Sequence, residues 1–132
     1  MADASYPDDL LYHAEHDWVR LDPDDPDTAT FGITWFAQDA LGEVVFFDPP
    51  EVGTAVTKDE SYAEVESVKA VSDVIAPMSG EIVEVNTALG DSPEAINDDP
   101  YGAGWMVRVK LADGVEKDGL LDAAAYTATL SQ

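Results

Sequence analysis

Apolar and polar residues alternate over short stretches along most of the chain, and Pro, Gly and Asp break the alternation at near-regular intervals. Residues 18–21 read as a strand. The Asp-Pro-Asp-Asp-Pro-Asp run at 22–27 reads as a turn, because two prolines supply no ladder donor and Asp side chains bond their own backbone. Strand character resumes over 28–34 through β-branched and aromatic residues. Thr34 is placed to cap a helix over 35–41, with Gly42 where a left-handed residue stops it. Residues 44–47 read as a buried strand ended by Pro49 and Pro50. Between 52 and 76, two strand segments flank a turn near Val68 and Lys69. A second turn, at 77–80, leads into the alternating strand 81–85. Ser92, Pro93 and Glu94 have the cap, first-position proline and acidic first turn of a helix that Pro100 bounds. Residues 105–111 read as a strand, and Asp122 caps an alanine-rich helix over 123–130. Short strands with brief helices predict a β-sandwich or flattened barrel. Residues 1–10 read as a flexible N-terminal arm and 11–132 as one domain. A faint echo between 51–59 and 81–91 is what an approximate two-fold axis through the central hairpin would produce.

Charge changes the picture. Of 132 residues, 28 are Asp or Glu (18 of them Asp) against 6 Lys plus Arg, a formal charge of −22. Such a chain is disordered only if it is also poor in apolar residues, and 45% of this one is hydrophobic, so a folded domain is expected. Self-repulsion on this scale destabilises a compact state in dilute buffer. At ~1 M salt the screening length falls to about 3 Å and most of that cost vanishes. The surface therefore reads as adaptation to a salt-rich, halophilic cytoplasm. A nucleic acid is not an expected partner, since phosphate binding needs a basic stripe. No run approaches the ~18 apolar residues of a membrane span. The first residues carry neither a basic n-region nor an Arg-rich presequence, which points to the cytoplasm. With no Cys, disulfides, cysteine metal sites and thiol nucleophiles are excluded.

Candidate chemistry centres on Glu66-Ser67-Val68-Lys69-Ala70. A lysine at the turn between two matched hairpin arms holds its ammonium clear of the fold on a fixed Cα, and lysine is scarce here, with Lys58, Lys110 and Lys117 the others. His13 and His16 stand three apart beside Asp17, but no Cys or third His completes a zinc site, so no metal is expected. No phosphate loop or nucleophilic-serine signature is present, and no catalytic residue is assigned.

These residues resemble the glycine cleavage system H proteins. Residues 66–86, ESVKAVSDVIAPMSGEIVEVN, are similar to the family's lipoyl-lysine segment. His13-Ala14-Glu15-His16-Asp17-Trp18-Val19 is similar to its "EHEWV"-type strand. Residues 31–34 and 37–42 resemble its "VGIT…AQ…LG" helix, 45–53 its "VFV-x-LPEVG" strand, and 92–105 its "SPE…N…PY…GW" segment. The C-terminal stretch around 120–126 follows the family too, so the match runs in order over about 11–130. It departs at Asp17, where Glu is usual, at 47–50, which lacks a Leu, at Asp59, where Gly is common, and in the acidic loop 22–27.

The resemblance implies a lipoyl/biotinyl-type barrel-sandwich hybrid of two small antiparallel sheets with short helices and a C-terminal helix. It implies lipoic acid joined by an amide to Lys69 of a monomeric, non-catalytic carrier. The implied partners are glycine decarboxylase, which uses pyridoxal phosphate, aminomethyltransferase, which uses tetrahydrofolate, dihydrolipoamide dehydrogenase, and a lipoate-attaching enzyme. The carrier takes an aminomethyl group from the first to the second and electrons to the third. Glu66 and Ser67 are candidates for recognition by the attaching enzyme. Glu15, Asp17 and Asp73 are candidates for holding the protonated amine of the carried group. Readings left open are a non-lipoylated acidic scaffold, a lipoate relay, and a lipoyl or biotinyl domain of another complex. Biotinyl lysine usually lies between methionines, whereas Val68 and Ala70 flank Lys69.

Overall fold

The computed structural model describes residues 6, 10–22, 24–111 and 120–130. Among these described residues nine strands form two antiparallel sheets. The larger has the order β1 (Leu11–His13), β2 (Asp17–Asp22), β3 (Asp25–Ile33), β9 (Val107–Leu111), β8 (Gly80–Val85), β5 (Ala55–Val56). The smaller has the order β4 (Val44–Asp48), β6 (Ser61–Ser67), β7 (Val71–Ile75). The described residues also form four helices, α1 (Trp35–Leu41), α2 (Ala88–Asp91), α3 (Ala95–Asp98) and the C-terminal α4 (Ala123–Leu130). The mainly β, two-sheet architecture is the one expected, although the larger sheet has six strands rather than a few.

The inner faces of the two sheets meet in one apolar layer that includes Val19, Phe31, Phe47, Val65, Val74, Ile82 and Val109. Strand alternation selects these residues, since every second side chain points inward. In β2 the opposite face is buried too. Trp18 is fully buried in a second cluster with Leu10, Tyr12, Tyr101, Ala123 and Tyr126, beneath α4. The rings of Tyr12 and Tyr126 stack at 4.8 Å, and the Trp18 indole N–H donates to the Pro100 carbonyl at 2.9 Å. Of the stretch read as an N-terminal arm, Leu10 is buried and Tyr6 packs edge-on against Tyr126. Residues 1–5 and 7–9 of that arm, and Lys117, lie outside the described residues.

The helix signals at 34–42 hold in detail. The Thr34 hydroxyl accepts from the Ala37 N–H, and Gly42, at φ +80°, donates its N–H to the Gln38 carbonyl. Asp122 likewise caps α4 by accepting from the Ala125 N–H at 2.8 Å.

Other expectations are corrected. The turn at 22–27 is tighter, for β3 already begins at Asp25, opposite Asp22, with an irregular register next to it. Pro26 is tolerated there because β9 pairs with β3 only from Thr28 onward. Residues 44–47 are not buried throughout. A register shift between Val44 and Phe46 leaves Val45 and Phe46 45% and 50% exposed. Ser92 does not cap a helix with its side chain. Its carbonyl accepts from the Ala95 N–H, α3 starts only at Ala95, and α2 precedes it. β9 is shorter than 105–111, starting at Val107. The echoing segments lie side by side, with β5 paired to β8, but β5 is only two residues long.

Trp18 faces Gly32 across the β2–β3 ladder, and a Cβ at Gly32 would stand 2.6 Å from the indole ring. Gly32→Ala must displace that ring from a packed cluster and should cost about 1–3 kcal/mol in urea unfolding. A midpoint equal to that of the unsubstituted chain would contradict this packing.

Candidate functional site

The β6–β7 hairpin carries Lys69 at its tip. The last ladder pair is Glu66 with Val71, and the turn closes where the Ser67 N–H donates to the Ala70 carbonyl at 2.8 Å. The Ser67 hydroxyl oxygen also accepts from the N–H groups of Lys69 (3.2 Å) and Ala70 (3.1 Å). This is the local bond a serine makes in place of a ladder partner. The tip is tied down as well, because the Val68 N–H donates to the Glu43 carbonyl at 3.0 Å. The Lys69 stem lies over Gly42, where a Cβ would come within 3.0 Å of Lys69 Cε. Lys69 is exposed, with exposed Val68 and Ala70 on either side. Backbone position is thus fixed while the side chain stays in solvent.

Beside the β7 edge runs a groove of about 370 Å³. Its walls are mostly apolar, with Ile33, Phe36, Leu41, Val65 and Val74, and its near end is bounded by Ala70 and Val71 next to the lysine turn. Glu15, Asp17 and Asp73, three of the sequence-derived candidates, all line it. Glu66 does not. It stands exposed on the outer face of the small sheet, and Ser67 contributes turn geometry.

The turn at 13–16 delivers Glu15 and Asp17 to the groove. His13 Nδ1 accepts from the Glu15 N–H at 3.0 Å, so its proton sits on Nε2 and is donated to Asp59 Oδ1 at 2.6 Å. Asp59 adopts φ +74°, the left-handed conformation that favours the Gly common in the resembling family, and this bond helps hold it there. His16, at φ +73°, bonds Tyr126 Oη through Nδ1 at 2.8 Å, and Tyr126 bonds the Thr34 hydroxyl at 2.8 Å. Burial pushes the His16 imidazole pKa down, with Glu15 opposing, and pushes the Tyr126 phenol up to about 12. The two histidines therefore serve separate structural bonds. Among the described residues no group of His, Cys, Asp or Glu is arranged to hold a metal.

Asp17 is the anomaly. It is 1% exposed, and its Oδ2 has no hydrogen-bond partner. Burial, and secondarily the Glu15 carboxylate, raise its pKa well above the ordinary value. A buried carboxyl with an unpartnered oxygen costs stability unless a donor or cation completes it. The sequence names Asp17 but not its burial, offers His16 only as a metal ligand, and gives no sign of Phe36 or Tyr126 at the site. The signal available was the alternation of β2, which buries both of its faces. An apolar trough with an unpartnered carboxyl oxygen inside it has room for a hydrocarbon chain that carries an amine, which is the chemistry of a lipoyl arm loaded with an aminomethyl group.

Residues 10–132 match the family described as Glycine cleavage H-protein. The glycine cleavage system H protein of Halorhodospira halophila is 57% identical over 120 residues, 91% of each chain. That of Symbiobacterium thermophilum is 53% identical over 125 residues, 95% of each. A crystal structure of the H protein from Mycobacterium marinum superposes with a TM-score of 0.85 at 47% identity, covering 96% of this chain and 99% of the other. The chain belongs to the glycine cleavage H-protein family, lipoate-carrying subunits rather than catalysts.

Proposed function

We propose that Lys69 is the lipoyl attachment residue and that the chain acts as the mobile carrier between the enzymes of glycine cleavage. The observation that carries this reading is the combination at one end of the hairpin: an exposed lysine on a pinned turn, opening beside an apolar groove with an unsatisfied carboxyl inside it. Lipoic acid, joined by an amide to Lys69 Nζ, would supply a disulfide that is reduced in taking up an aminomethyl group at glycine decarboxylase, and a dithiol, left once aminomethyltransferase has removed that group, whose two electrons would go to dihydrolipoamide dehydrogenase. The chain contributes effective concentration, since a tethered group meets successive sites without diffusing away.

The residues of the groove have a distinct task. An aliphatic amine is protonated at neutral pH. Asp17, Glu15 and Asp73 offer it three carboxyls, and the apolar walls exclude water around it. A cation beside Asp17 removes the cost of ionising that carboxyl, so the groove binds the charged amine and the carboxylate together. Glu66 and Ser67 act earlier, presenting the turn to the lipoate-attaching enzyme. That enzyme has to deprotonate Lys69 before the nitrogen can attack. No helix among the described residues is long and apolar enough to cross a membrane. The functional reading places the monomeric chain in a salt-rich cytoplasm, where screening relieves its charge of −22.

Lys69→Arg keeps the charge but offers no acylable amine. Incubated with a lipoate-attaching enzyme it should gain no mass, and with the reconstituted enzymes it should release no carbon dioxide from glycine. Turnover equal to that of the unsubstituted carrier would refute the assignment.

Asp17→Asn should have two effects of opposite sign. It should speed loss of the carried amine severalfold, and at pH 7 it should raise stability by about 1–3 kcal/mol by replacing a buried ionisable group with a neutral one. Because the folded pKa is raised, the stability contributed by protonated Asp17 is fully present below about pH 3.8 and is lost as pH rises through the folded value. The stability gap between the two proteins should therefore widen upward from about pH 4. Parallel pH profiles with equal decay rates would contradict both parts.

Thermal unfolding tests the surface reading. The midpoint should rise by several degrees between 0.1 M and 2 M KCl, and a flat or falling midpoint would oppose it.

A further inference from the structure

The outer face of the three-stranded sheet has an ordered pattern of which the carrier reading uses only Glu66 and, at the β7 edge beside the groove, Val71 and Asp73. Cross-strand register places Phe46, Glu66 and Val71 in one row across β4, β6 and β7, immediately below the lysine turn. Phe46 and Val71 are 50% and 59% exposed, and Val68 at the tip is 67% exposed. The inward-facing row follows, with buried Phe47 and Val65. The next outward row, about 7 Å further from the tip, is Asp48, Glu64 and Asp73. All three are exposed.

Both rows run against what a solvated sheet face favours. Large apolar side chains are left in water on an edge strand, where pairing with another chain is a hazard. Three like charges lie directly opposite one another about 4.8 Å apart, an arrangement that destabilises a sheet. The pattern makes sense if another surface covers it, with an apolar centre against Phe46, Val68 and Val71 and a basic rim against Asp48, Glu64 and Asp73.

We propose that this face docks the lipoate-attaching enzyme through an apolar contact rimmed by Lys or Arg. The proposal rests on Lys69 being the acylated residue. The bare lysine decides between possible occupants. Before acylation its nitrogen reaches only as far as its own four-carbon stem, and that stem lies back over Gly42 at the β4 side of the turn. An enzyme that acts on this nitrogen must press against the surface around the turn, and Phe46 and Val71 flank that turn in register. A partner that meets the finished carrier works instead on the end of a long arm. The acid row gives orientation and encounter rate, and the apolar row gives contact area.

The experiment uses the full chain, a purified lipoate-attaching enzyme and an activated lipoyl donor, with the adduct followed by intact mass. Phe46→Ser and Glu64→Lys should each lower the acylation kcat/KM roughly tenfold, mainly through KM. Glu64→Gln should lower it less and should make KM less sensitive to added salt. The same Glu64→Gln change should leave the urea midpoint equal or higher, because it relieves the like-charge row, so loss of acylation cannot be ascribed to unfolding. Acylation of the unsubstituted chain together with unaltered rates in Phe46→Ser and Glu64→Lys would overturn the proposal alone. No adduct on the unsubstituted chain would end the parent reading with it. If the variants, once lipoylated, lose more turnover with glycine decarboxylase than they lost with the attaching enzyme, the face belongs to a different partner and the proposal fails.

Discussion

Everything at the functional end depends on the burial of one face of a three-stranded sheet. Phe47, Val65 and Val74 are almost inaccessible because they press against the larger sheet, and strand alternation then forces their neighbours outward. A lone hairpin is marginal in water, and a side chain at its tip would have no fixed origin. Pinned on one face, tied through Val68 to Glu43 and closed by Ser67, the β6–β7 turn becomes a rigid mount. The same burial leaves β7 as an edge, and the groove lies along that edge. The mount, the groove and the patterned outer face are three consequences of one packed interface.

On the proposed role, a carrier must hold its cargo without keeping it, and an unpartnered carboxyl oxygen in an apolar groove supplies such a balance. The carboxyl is buried on the inter-sheet face of β2, and its backbone is fixed by the burial of Trp18 on one side in sequence and by the turn at 13–16 on the other. An unsatisfied oxygen there costs stability. An amine that completes it gains affinity from relief of that cost, in a groove where apolar walls strengthen the charge interaction. The strain is kept local. His16 and Asp59 hold left-handed backbone conformations, and both lie in a bonded frame built from His13, Tyr126 and Thr34.

How much of this was legible beforehand follows from the range of the interactions. The cap at Thr34, the stop at Gly42 and the cap at Asp122 depend on neighbours within a few residues, and they were readable. So was the lysine turn, because a hairpin announces itself in two flanking strands. Glu15, Asp17 and Asp73 were named from the amine's charge and from the resemblance, and the fold brings all three to one groove. What could not be read depends on contacts distant in sequence. Phe46 is exposed because of a register shift against β6, which a run of four apolar residues conceals. Asp17 is buried because it shares the inward face of β2 with Val19 and lies beside Ile33, Val65 and Val74, the last two from the other sheet. The role of His16 needs Tyr126, 110 residues away.

The central claim is that one lysine nitrogen carries the covalent arm. Peptide mapping by mass spectrometry, on the protein isolated from its own cells with and without reduction, tests it most directly. The account predicts a lipoyl adduct on the peptide containing Lys69, gaining two hydrogens on reduction, with the peptides of Lys58 and Lys110 bare. An adduct on another lysine, or an unmodified Lys69 in cells that are cleaving glycine, would contradict it.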